Sequence, residues 1–440
     1  MSQAQSAPLL ASQLGGADLP LAAEPAWLSA LRQQYRQSLI EDGMPGPRSE
    51  TWKYTSLRAL AQRRFASHDA EAASRSVDAA LWQIPGLEGP SLVFVNGVFR
   101  ADLSALDGLP EGLTLEPVSA VLAEGRGDEL KALWEGESLA AADVMRRLNA
   151  GAAREGACLR VAAGVVIESP VRLVHIATPA SEDQAWHLRH LVQVEEGAQL
   201  QLIEQHLGAG AQQHLATVSS LHQVAARGQL QLVVLQQAAV SAPLFRHTRF
   251  QLASHAHAAW HGLELGGGLV RHELQAEVAG DEASFDSRGV VVARGRQHID
   301  TQLQIRHAAK DSRSDAIWRG VADERSRVVF RGAIVVAEGA DGTDASLANK
   351  NLLLSAQAEI DSKPELEIYA DEVKAAHGAT VGQLDERALF YLRSRGIPLE
   401  QARRLLMAAF CQEVLDQVPN PALHQHVSGL LLAQLPQEAD

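Results

Sequence analysis

Residues 159–373 consist mainly of strand-length apolar or alternating segments, separated by turns rich in Gly, Asp and Ser. Alternation with a period of two is typical of β-strands. The sequence Gln-Leu-Gln-Leu occurs at 199–202 and again at 229–232, and later strand starts near Ala256 and Ala283 follow at similar intervals. Such a near repeat is expected of a coiled sheet in which each turn stacks on the previous one. The pattern therefore favours a β-helix, although a β-sandwich or a large barrel would give similar alternation with less regular turns.

Helical patterns precede this strand-rich region. Pro25 suits a first helical turn, and apolar residues recur after it every three or four positions until the sequence GMPGP at 43–47. The recurring residues are Leu28, Leu31, Tyr35 and Leu39. Residues 91–99 indicate a short hairpin, because Asn96-Gly97 supplies the positive-φ turn, and residues 140–150 are again helical in pattern.

The C-terminal region is also helical in pattern. Gly396 ends one helix, and Ile397-Pro398 opens another. The second helix carries an apolar stripe, which predicts a buried face that can also serve as a partner surface. The stripe consists of Ala402, Leu405, Leu406, Ala409, Phe410 and Val414. Cys411 falls opposite this stripe, so we expect it to be exposed or to pack on another helix.

These patterns divide the 440 residues into four parts, in keeping with two or three folded domains. We predict a loose tail at 1–20, a mixed and mostly helical N-terminal region at 21–155, a β-helix core at 156–375 and a C-terminal helical domain at 376–440. The predicted fold class is mainly β, with α-helical regions on both sides of the β-helix.

The composition excludes several classes of protein. The net charge is −14, and no basic stripe with interleaved aromatic residues is present, so a nucleic-acid partner is not expected. No apolar run approaches the roughly 18–20 residues needed to cross a bilayer. The N-terminal sequence has neither a basic stretch nor a continuous apolar stretch, so we expect no secretory signal. With only two cysteines, Cys158 and Cys411, the chain suits a reducing cytoplasm.

Two segments carry more specific motifs. Residues 349–397 contain, in order, S-K-P-E-L-E-I-Y-A-D, H-G-A-T-V-G and F-Y-L-R-S-R-G-I, and residues 49–57 read S-E-T-W-K-Y-T-S-L. These segments resemble the SufB/SufD family of iron–sulfur cluster assembly proteins. SufB-type chains carry a cysteine in the strand region before the H-G-A-T loop, whereas no cysteine lies between Cys158 and Cys411. The chain therefore resembles the SufD type, which implies a right-handed parallel β-helix and a non-enzymatic scaffold role.

The resemblance also implies a set of partners. A SufB-type subunit would pair with the end of the β-helix, and a SufC-type ATPase would bind the C-terminal helices. The isolated subunit would be able to form a homodimer. No Walker motif G-x-x-x-x-G-K-[ST] occurs in the chain, so ATP hydrolysis would belong to the partner. The implied cofactors are a transient iron–sulfur cluster at the interface and a reduced flavin in the assembled complex, with none bound tightly by this chain alone.

His377 is the candidate site residue. In the family, the histidine of the H-G-A-T loop lies at the interface where the nascent cluster is thought to form. Neutral imidazole is a suitable iron ligand, so His377 is expected to bind iron or the cluster together with partner residues. SufD chains can carry a cysteine two positions earlier, where this chain has Ala375. A second ligand from this loop is therefore missing.

Other polar residues suggest weaker sites. His255, His257 and His261 are predicted on one side of a strand, where a solvent-facing ladder is favoured over a metal site because no acidic or cysteine ligand is evident. The pair His187 and His190 carries still less weight. The charged residues of the 362–371 motif share one strand face, and a solvated or partner-facing role is favoured over acid–base catalysis; they are Lys363, Glu365 and Glu367.

The main alternative is a carbohydrate-active enzyme built on a β-helix. Such enzymes usually have a signal peptide and a groove of clustered Asp, Arg or Lys residues. The scattered carboxylates and the absence of a recognisable signal in this sequence argue against that class. Cys158 is expected to be a small buried apolar residue.

Overall fold

The structure is a computed structural model that describes residues 7–15, 23–46, 48–67 and 73–435. Most of it is a parallel β-solenoid with two strands in each turn. The strands before the regular turns are β1 (Ser91–Val95), β2 (Val98–Phe99), β3 (Leu113–Pro117), β4 (Ala157–Val161) and β5 (Val171–Ala177). The following strands are β6 (Ala185–Val194), β7 (Gln199–Gly208), β8 (Leu215–Val224), β9 (Gln229–Gln237), β10 (Pro243–Leu252), β11 (His257–Glu264) and β12 (Leu269–Val278). The last are β13 (Ser284–Ala293), β14 (His298–His307), β15 (Arg313–Ala322), β16 (Arg327–Val336), β17 (Asp344–Leu353), β18 (Glu359–Ile368) and β19 (Lys374–Gly382).

Successive strands alternate between two sheets, so each strand of the solenoid pairs in parallel with the strand two positions later. The odd-numbered sheet runs from β19 through β5 to β1 and β2, and the even-numbered sheet runs from β18 through β4 to β3. Only the pairs β1–β2 and β3–β4 are antiparallel among the described strands. The predicted mainly β fold with a parallel coiled sheet is therefore confirmed.

The near repeat in the sequence corresponds to one turn of the solenoid. Gln199 is aligned with Gln229 and Leu200 with Leu230, so the two Gln-Leu-Gln-Leu segments lie directly on each other. His257 is aligned with Gln229 on one side and with Ser284 on the other. Leucine side chains on the inward face, such as Leu200 and Leu230, form a continuous apolar stack through the coil.

The N-terminal region covers the outer face of the even-numbered sheet. Its helices are α1 (Pro8–Leu14), α2 (Ala26–Asp42), α3 (Arg58–Ala61), α4 (Val118–Ala123), α5 (Lys131–Trp134) and α6 (Val144–Ala152). The predicted hairpin is present, and its turn residues Asn96 and Gly97 both have positive φ values, 46° and 78°. A buried ion pair between Arg189 of β6 and Glu137 joins this region to the solenoid, with Arg189 Nη2 2.7 Å from Glu137 Oε1.

The predicted loose tail at 1–20 differs from the structure over 8–14. These residues form helix α1, because Leu9 and Leu10 are fully buried in an apolar cluster with Leu60 and Phe65. Residues 1–6 and 16–20 of that predicted tail lie outside the described residues. The boundary predicted at 375–376 falls inside β19, since the strand continues to Gly382 before the next helix begins at Glu386.

Three C-terminal helices follow the solenoid: α7 (Glu386–Ser394), α8 (Leu399–Leu415) and α9 (Pro421–Gln434). Helices α8 and α9 pack on the outer face of the odd-numbered sheet. The predicted stripe of α8 is only partly buried, because Ala402 and Val414 lie in the interface while Leu405 is 46% exposed. Cys411 is fully buried in the apolar cluster that the odd-numbered sheet forms with α8 and α9, so the predicted exposed position is wrong. Among the described residues, no helix is both long and apolar enough to cross a membrane.

Candidate functional site

The C-terminal end of the solenoid is open. Among the described strands, β18 pairs only with β16 and β19 only with β17, so each forms the edge of its sheet. Both strands are exposed or half-buried along their whole length, in contrast to the buried strands before them. An edge strand presents unpaired N–H and C=O groups to any chain that approaches it. The last turn therefore offers two parallel edges for strand pairing.

His377 lies in the middle of β19 and is exposed. It is aligned with Leu347 of β17, whose side chain belongs to the apolar interior of the solenoid. Because aligned residues of paired strands share a face, His377 lies on the inward face at the open mouth of the coil. The structure thus places the predicted site residue where the interior of the solenoid meets its surroundings.

Polar side chains occupy the interior one turn below His377. Asn349 Oδ1 accepts hydrogen bonds from Asn351 Nδ2 at 2.6 Å and from Ser362 Oγ at 2.7 Å. Asn351 Nδ2 also donates to the backbone oxygen of Thr380 in β19, at 3.1 Å. These bonds tie β18 and β19 to the penultimate turn, so the strand that carries His377 is fixed although its outer edge is unpaired.

The site contains no thiol from this chain. Ala375 lies two residues before His377 on the same strand face. Cys158 lies in β4 near the other end of the solenoid, where burial raises the pKa of its thiol. Burial also raises the pKa of Cys411, in helix α8, to about 12. Neither cysteine is a thiolate near neutral pH, and neither is close to His377 in the strand order.

The charged residues of β18 form ion pairs on its surface. Lys363 Nζ lies 2.8 Å from Glu365 Oε1, and the hydrogen bond from Lys363 to Glu365 is the main reason why the lysine pKa is raised. Glu365 also pairs with Arg331 of β16. Such paired groups on an exposed strand fit the solvated or partner-facing role that the sequence indicated.

The predicted histidine ladder does not converge on a metal site. His255 lies in the turn before β11 with a φ of 58°, so it is not on the strand. His257 and His261 share the outward face of β11, but four residues of a strand span about 13 Å. His257 is hydrogen-bonded to Ser284, and His261 is buried beneath the C-terminal helices. His187 is also hydrogen-bonded, since its Nδ1 lies 2.6 Å from Thr217 Oγ1.

A buried polar cluster inside the first turns of the solenoid was not recognised from the sequence. His175 of β5 and Glu204 and His206 of β7 lie together there, all buried. Burial lowers the pKa of His175 well below its ordinary value. The signal was the spacing of Glu204 and His206 two residues apart on a strand, which places both side chains on one face.

Exposed apolar side chains cluster around the last turn and the first C-terminal helices. Phe390 and Tyr391 of α7 are 74% and 57% exposed, and the structure buries no residue of that helix. Leu399 and Leu405 of α8 are also exposed. Large aromatic residues left uncovered in one region are typical of a protein-interaction surface.

Helices thus cover both broad faces of the solenoid, while its last turn and the adjoining helix α7 stay uncovered. This arrangement defines a class of β-solenoid proteins with an open end and an exposed helical module. The family model described as "SUF system FeS cluster assembly, SufBD core domain" matches residues 176–410, and "SufBD protein N-terminal region" matches residues 21–173. The chain belongs to the SufBD family of iron–sulfur cluster assembly proteins, and within it resembles the SufD members.

Curated relatives cover nearly the whole chain. It is 31% identical over 419 residues to the iron-sulfur cluster assembly protein SufD of Escherichia coli (strain K12), covering 94% of this chain and 95% of that protein. It is 29% identical over 391 residues to an iron-sulfur cluster assembly SufBD family protein of Synechocystis sp., and the alignment covers 86% of this chain and 85% of that protein. For SufD of Bacillus subtilis the identity is 26% over 410 residues, with shares of 90% and 91%. These relatives bear the names of assembly proteins, not of enzymes.

A flavin does not fit the cleft beside the last turn. An isoalloxazine ring needs a mainly apolar slot with a few free polar groups. The cleft near β18 is lined by Asp361 and Lys363, among others, and both are engaged in ion pairs, with Arg327 and Glu365 respectively.

Proposed function

We propose that this chain is a non-enzymatic scaffold subunit for iron–sulfur cluster assembly, and that His377 takes part in the cluster site. The observation that carries the proposal is the position of His377, which is exposed on an edge strand at the mouth of the solenoid. The cluster is the cargo of the scaffold in this proposal. Membership of the SufBD family supports the assembly role.

A SufB-type subunit is the proposed partner of the open end. Two solenoids of the same family have matching strand spacing, so the edges of one can pair with the edges of the other by backbone hydrogen bonds. Strands β18 and β19 offer both edges at once. This pairing would enclose His377 and the polar interior around Asn349 between the two subunits.

The proposed role of His377 is to supply one nitrogen ligand. A neutral imidazole binds iron well, and the thiolates that iron–sulfur clusters usually require would come from the partner, because this chain has none near the site. A site shared in this way forms only when the subunits are paired. The subunit alone would therefore hold the cluster weakly.

A SufC-type ATPase is the proposed partner of the C-terminal helices. Helix α7 buries no residue, its Phe390 and Tyr391 are exposed, and Leu405 of the following helix α8 is exposed as well. Aromatic residues of this kind are frequent energetic centres of interfaces. The two free cysteines support a reducing compartment, and we propose that the complex works in the cytoplasm.

His377→Ala tests the proposed cluster site. The variant should be co-expressed with the SufB-type and SufC-type partners, and iron and acid-labile sulfide should be measured per purified complex. We expect both to fall by about tenfold or more, because loss of a ligand weakens metal binding at least as much as loss of an outer-sphere group. Subunit stoichiometry should be unchanged.

Thr380→Ala is the matched control, since Thr380 lies on the same exposed strand but on its outward face. It should retain the cluster content of the wild type. Wild-type iron and sulfide in the His377→Ala complex would remove His377 from the proposed site, whereas loss of the partners would show that it acts in pairing.

The double variant Phe390→Ala and Tyr391→Ala tests the proposed ATPase surface. We expect its affinity for the SufC-type partner to fall by about 30-fold, since truncated aromatic hot spots typically lose about 2 kcal/mol or more. Val240→Ala, at an equally exposed apolar residue in a solenoid turn, is the control and should bind normally. Unchanged binding by the double variant in titration calorimetry would exclude α7 from this interface.

A further inference from the structure

The interior of the first solenoid turns contains a set of potential metal ligands. His175 of β5 is aligned with His206 of β7, and their rings stack with centroids 4.7 Å apart. Glu204 lies two residues before His206 and so shares its inward face. One ring nitrogen of each histidine and one carboxylate oxygen of Glu204 lie within 4.8 Å of one another. Two strands that pair directly thus bring two nitrogens and one oxygen together.

The three side chains are buried, but not all of their polar atoms have hydrogen-bond partners. His175 is 6% exposed, and neither of its ring nitrogens has a hydrogen-bond partner. Glu204 Oε1 accepts a hydrogen bond from His206 Nε2 at 2.7 Å and lies 3.9 Å from His175 Nε2. Unpartnered buried polar atoms are uncommon and can mark the place of a bound ion or water. His175 Nε2 has no partner and faces the Glu204 carboxylate, which leaves a place for a bound group between this ring and Glu204.

Charge balance indicates that this group is a cation. The only ion-pair partners of Glu204 in the described part of the chain are His175 and His206. The nearby carboxylate of Glu264, in contrast, is paired with Arg246, and both side chains are almost fully buried. A buried carboxylate without a fixed positive charge is unfavourable unless a proton or a metal ion neutralises it.

We propose that His175, Glu204 and His206 form a binding site for a divalent transition-metal ion of the zinc and ferrous-iron class. Two imidazoles and one carboxylate are a ligand set that both ions use, whereas magnesium and calcium prefer oxygen ligands alone. Bonds of about 2.0–2.1 Å in a tetrahedral site separate ligand atoms by roughly 3.3 Å. The observed 2.7 Å and 3.9 Å lie on either side of this value, so small side-chain rotations suffice.

Binding requires a proton shift in His206. Its Nε2 hydrogen now lies between His206 and Glu204, and the metal ion would take this position while the hydrogen moves to Nδ1. His190 lies beside the site, with its ring 5.0 Å from that of His175. It is not a ligand, because its Nδ1 accepts a hydrogen bond from the Ala157 amide and Nε2 carries the proton. His190 can instead donate to a water molecule at the fourth position.

The proposed metal site is separate from His377. Six strand steps lie between β7 and β19 in the odd-numbered sheet, which corresponds to roughly 29 Å at about 4.8 Å per step. A pocket at the ends of the strands is lined by His175, His206, Gln212 and His214. Its polar side chains could guide a metal ion from the pocket to the proposed site. The proposal therefore adds a second metal-binding location to the chain.

Cobalt(II) titration of the purified, chelator-treated chain tests the proposal. We expect one equivalent to bind with the visible absorption of a four- or five-coordinate site, and Zn²⁺ to displace it. Glu204→Gln and His175→Phe should each weaken Co²⁺ binding by more than about 100-fold, since changes to outer-sphere groups alone cost about 10–100-fold. The ring of His175 already stacks on Phe94, so a phenylalanine fits that position.

Three controls separate this site from other histidines. His222→Phe removes a buried, unpartnered imidazole outside the ligand set, His255→Ala with His257→Ala removes the surface pair, and His377→Ala removes the proposed cluster ligand. All three should keep the absorption. Absence of Co²⁺ uptake by the wild-type chain would overturn the proposal and leave the hydrogen bond from His206 as the only interaction of Glu204 at this site. Equal binding by folded Glu204→Gln and His175→Phe variants would overturn it as well.

Discussion

Burial divides the histidines of this chain into two chemical groups. His187, His190 and His222 lie inside the protein, and burial lowers their pKa values to about 3, 4 and 4. These rings are neutral at physiological pH. His377, in contrast, is exposed at an edge strand and is free to meet a partner. The position of each histidine in the solenoid therefore decides whether its imidazole is shielded from solvent or can contact a partner.

His222 allows a direct measurement of this effect. Its ring stacks on Phe250, with centroids 4.7 Å apart, and both ring nitrogens lack a partner. Above about pH 6.5 the ring is neutral in both states, so it contributes no pH dependence. As the pH falls from there to about 4, only the unfolded state gains the proton, and the free energy of unfolding decreases by about 1.4 kcal/mol per pH unit.

We therefore predict that His222→Phe flattens the acid side of the stability profile. Between pH 6.5 and 4 the variant should lose about 3 kcal/mol less than the wild type in urea unfolding experiments. His255→Gln, at an exposed turn residue, should leave the profile unchanged. Parallel wild-type and His222→Phe curves over this range would mean that the buried ring titrates normally.

The H-G-A-T motif predicts His377 as the site residue, but the sequence did not reveal the interior set of His175, Glu204 and His206. The reason is that helices cover the outside of the sheets, so most solenoid strands are buried on both faces. With both faces buried, alternation does not identify the inward one. Only the alignment of β5 with β7 shows that the three side chains meet.

The strands were easier to predict than the helices that pack on them. A repeat such as Gln-Leu-Gln-Leu directly reflects the stacking of one turn on the next, so the spacing favoured the coil over a β-sandwich or a barrel, and the family resemblance then implied it. In α8, apolar residues lie on more than one side. Met407 and Cys411 contact the solenoid, whereas Leu405 faces outward. Helical periodicity finds an apolar side but does not distinguish the core from a partner surface.

Helix α9 offers a matched pair of adjacent leucines that tests this packing. Leu431 is fully buried against the odd-numbered sheet, and Leu432 is 41% exposed. Leu431→Ala should lower the free energy of unfolding by about 2–5 kcal/mol, since it removes a buried side chain and leaves a cavity. Leu432→Ala, which has the same chemistry and helix propensity, should lose about 1 kcal/mol or less.

Urea unfolding of both variants, followed by circular dichroism, gives the comparison. Equal losses would show that α9 does not pack as the structure has it. A large loss confined to helical signal, with the β-sheet signal unchanged, would instead show that the C-terminal helices unfold separately from the solenoid.

At the scale of the whole molecule, the two ends of the solenoid differ. The first end is closed by the antiparallel strands β2 and β3, which interrupt parallel stacking. The C-terminal end has no such cap among the described residues. Its last turn carries exposed apolar groups, namely Ile368 at the end of β18, Tyr369 directly after it and Val381 in β19. Uncovered edges of this kind are unfavourable for an isolated protein because they pair with other chains. The asymmetry therefore directs association to one end.

The last turn should consequently mediate self-association when no partner is present. We predict that the isolated chain forms a dimer through β18 and β19, and that Val381→Lys makes it monomeric, because a charge at the edge opposes strand pairing. Stability of the monomer should change by no more than about 0.5 kcal/mol, since Val381 is half-exposed. Light scattering after gel filtration measures the mass, with Val240→Lys, at a more exposed valine in a solenoid turn, as the control. A monomeric wild type, or a Val381→Lys variant that stays dimeric, would show that the open end does not drive association by itself.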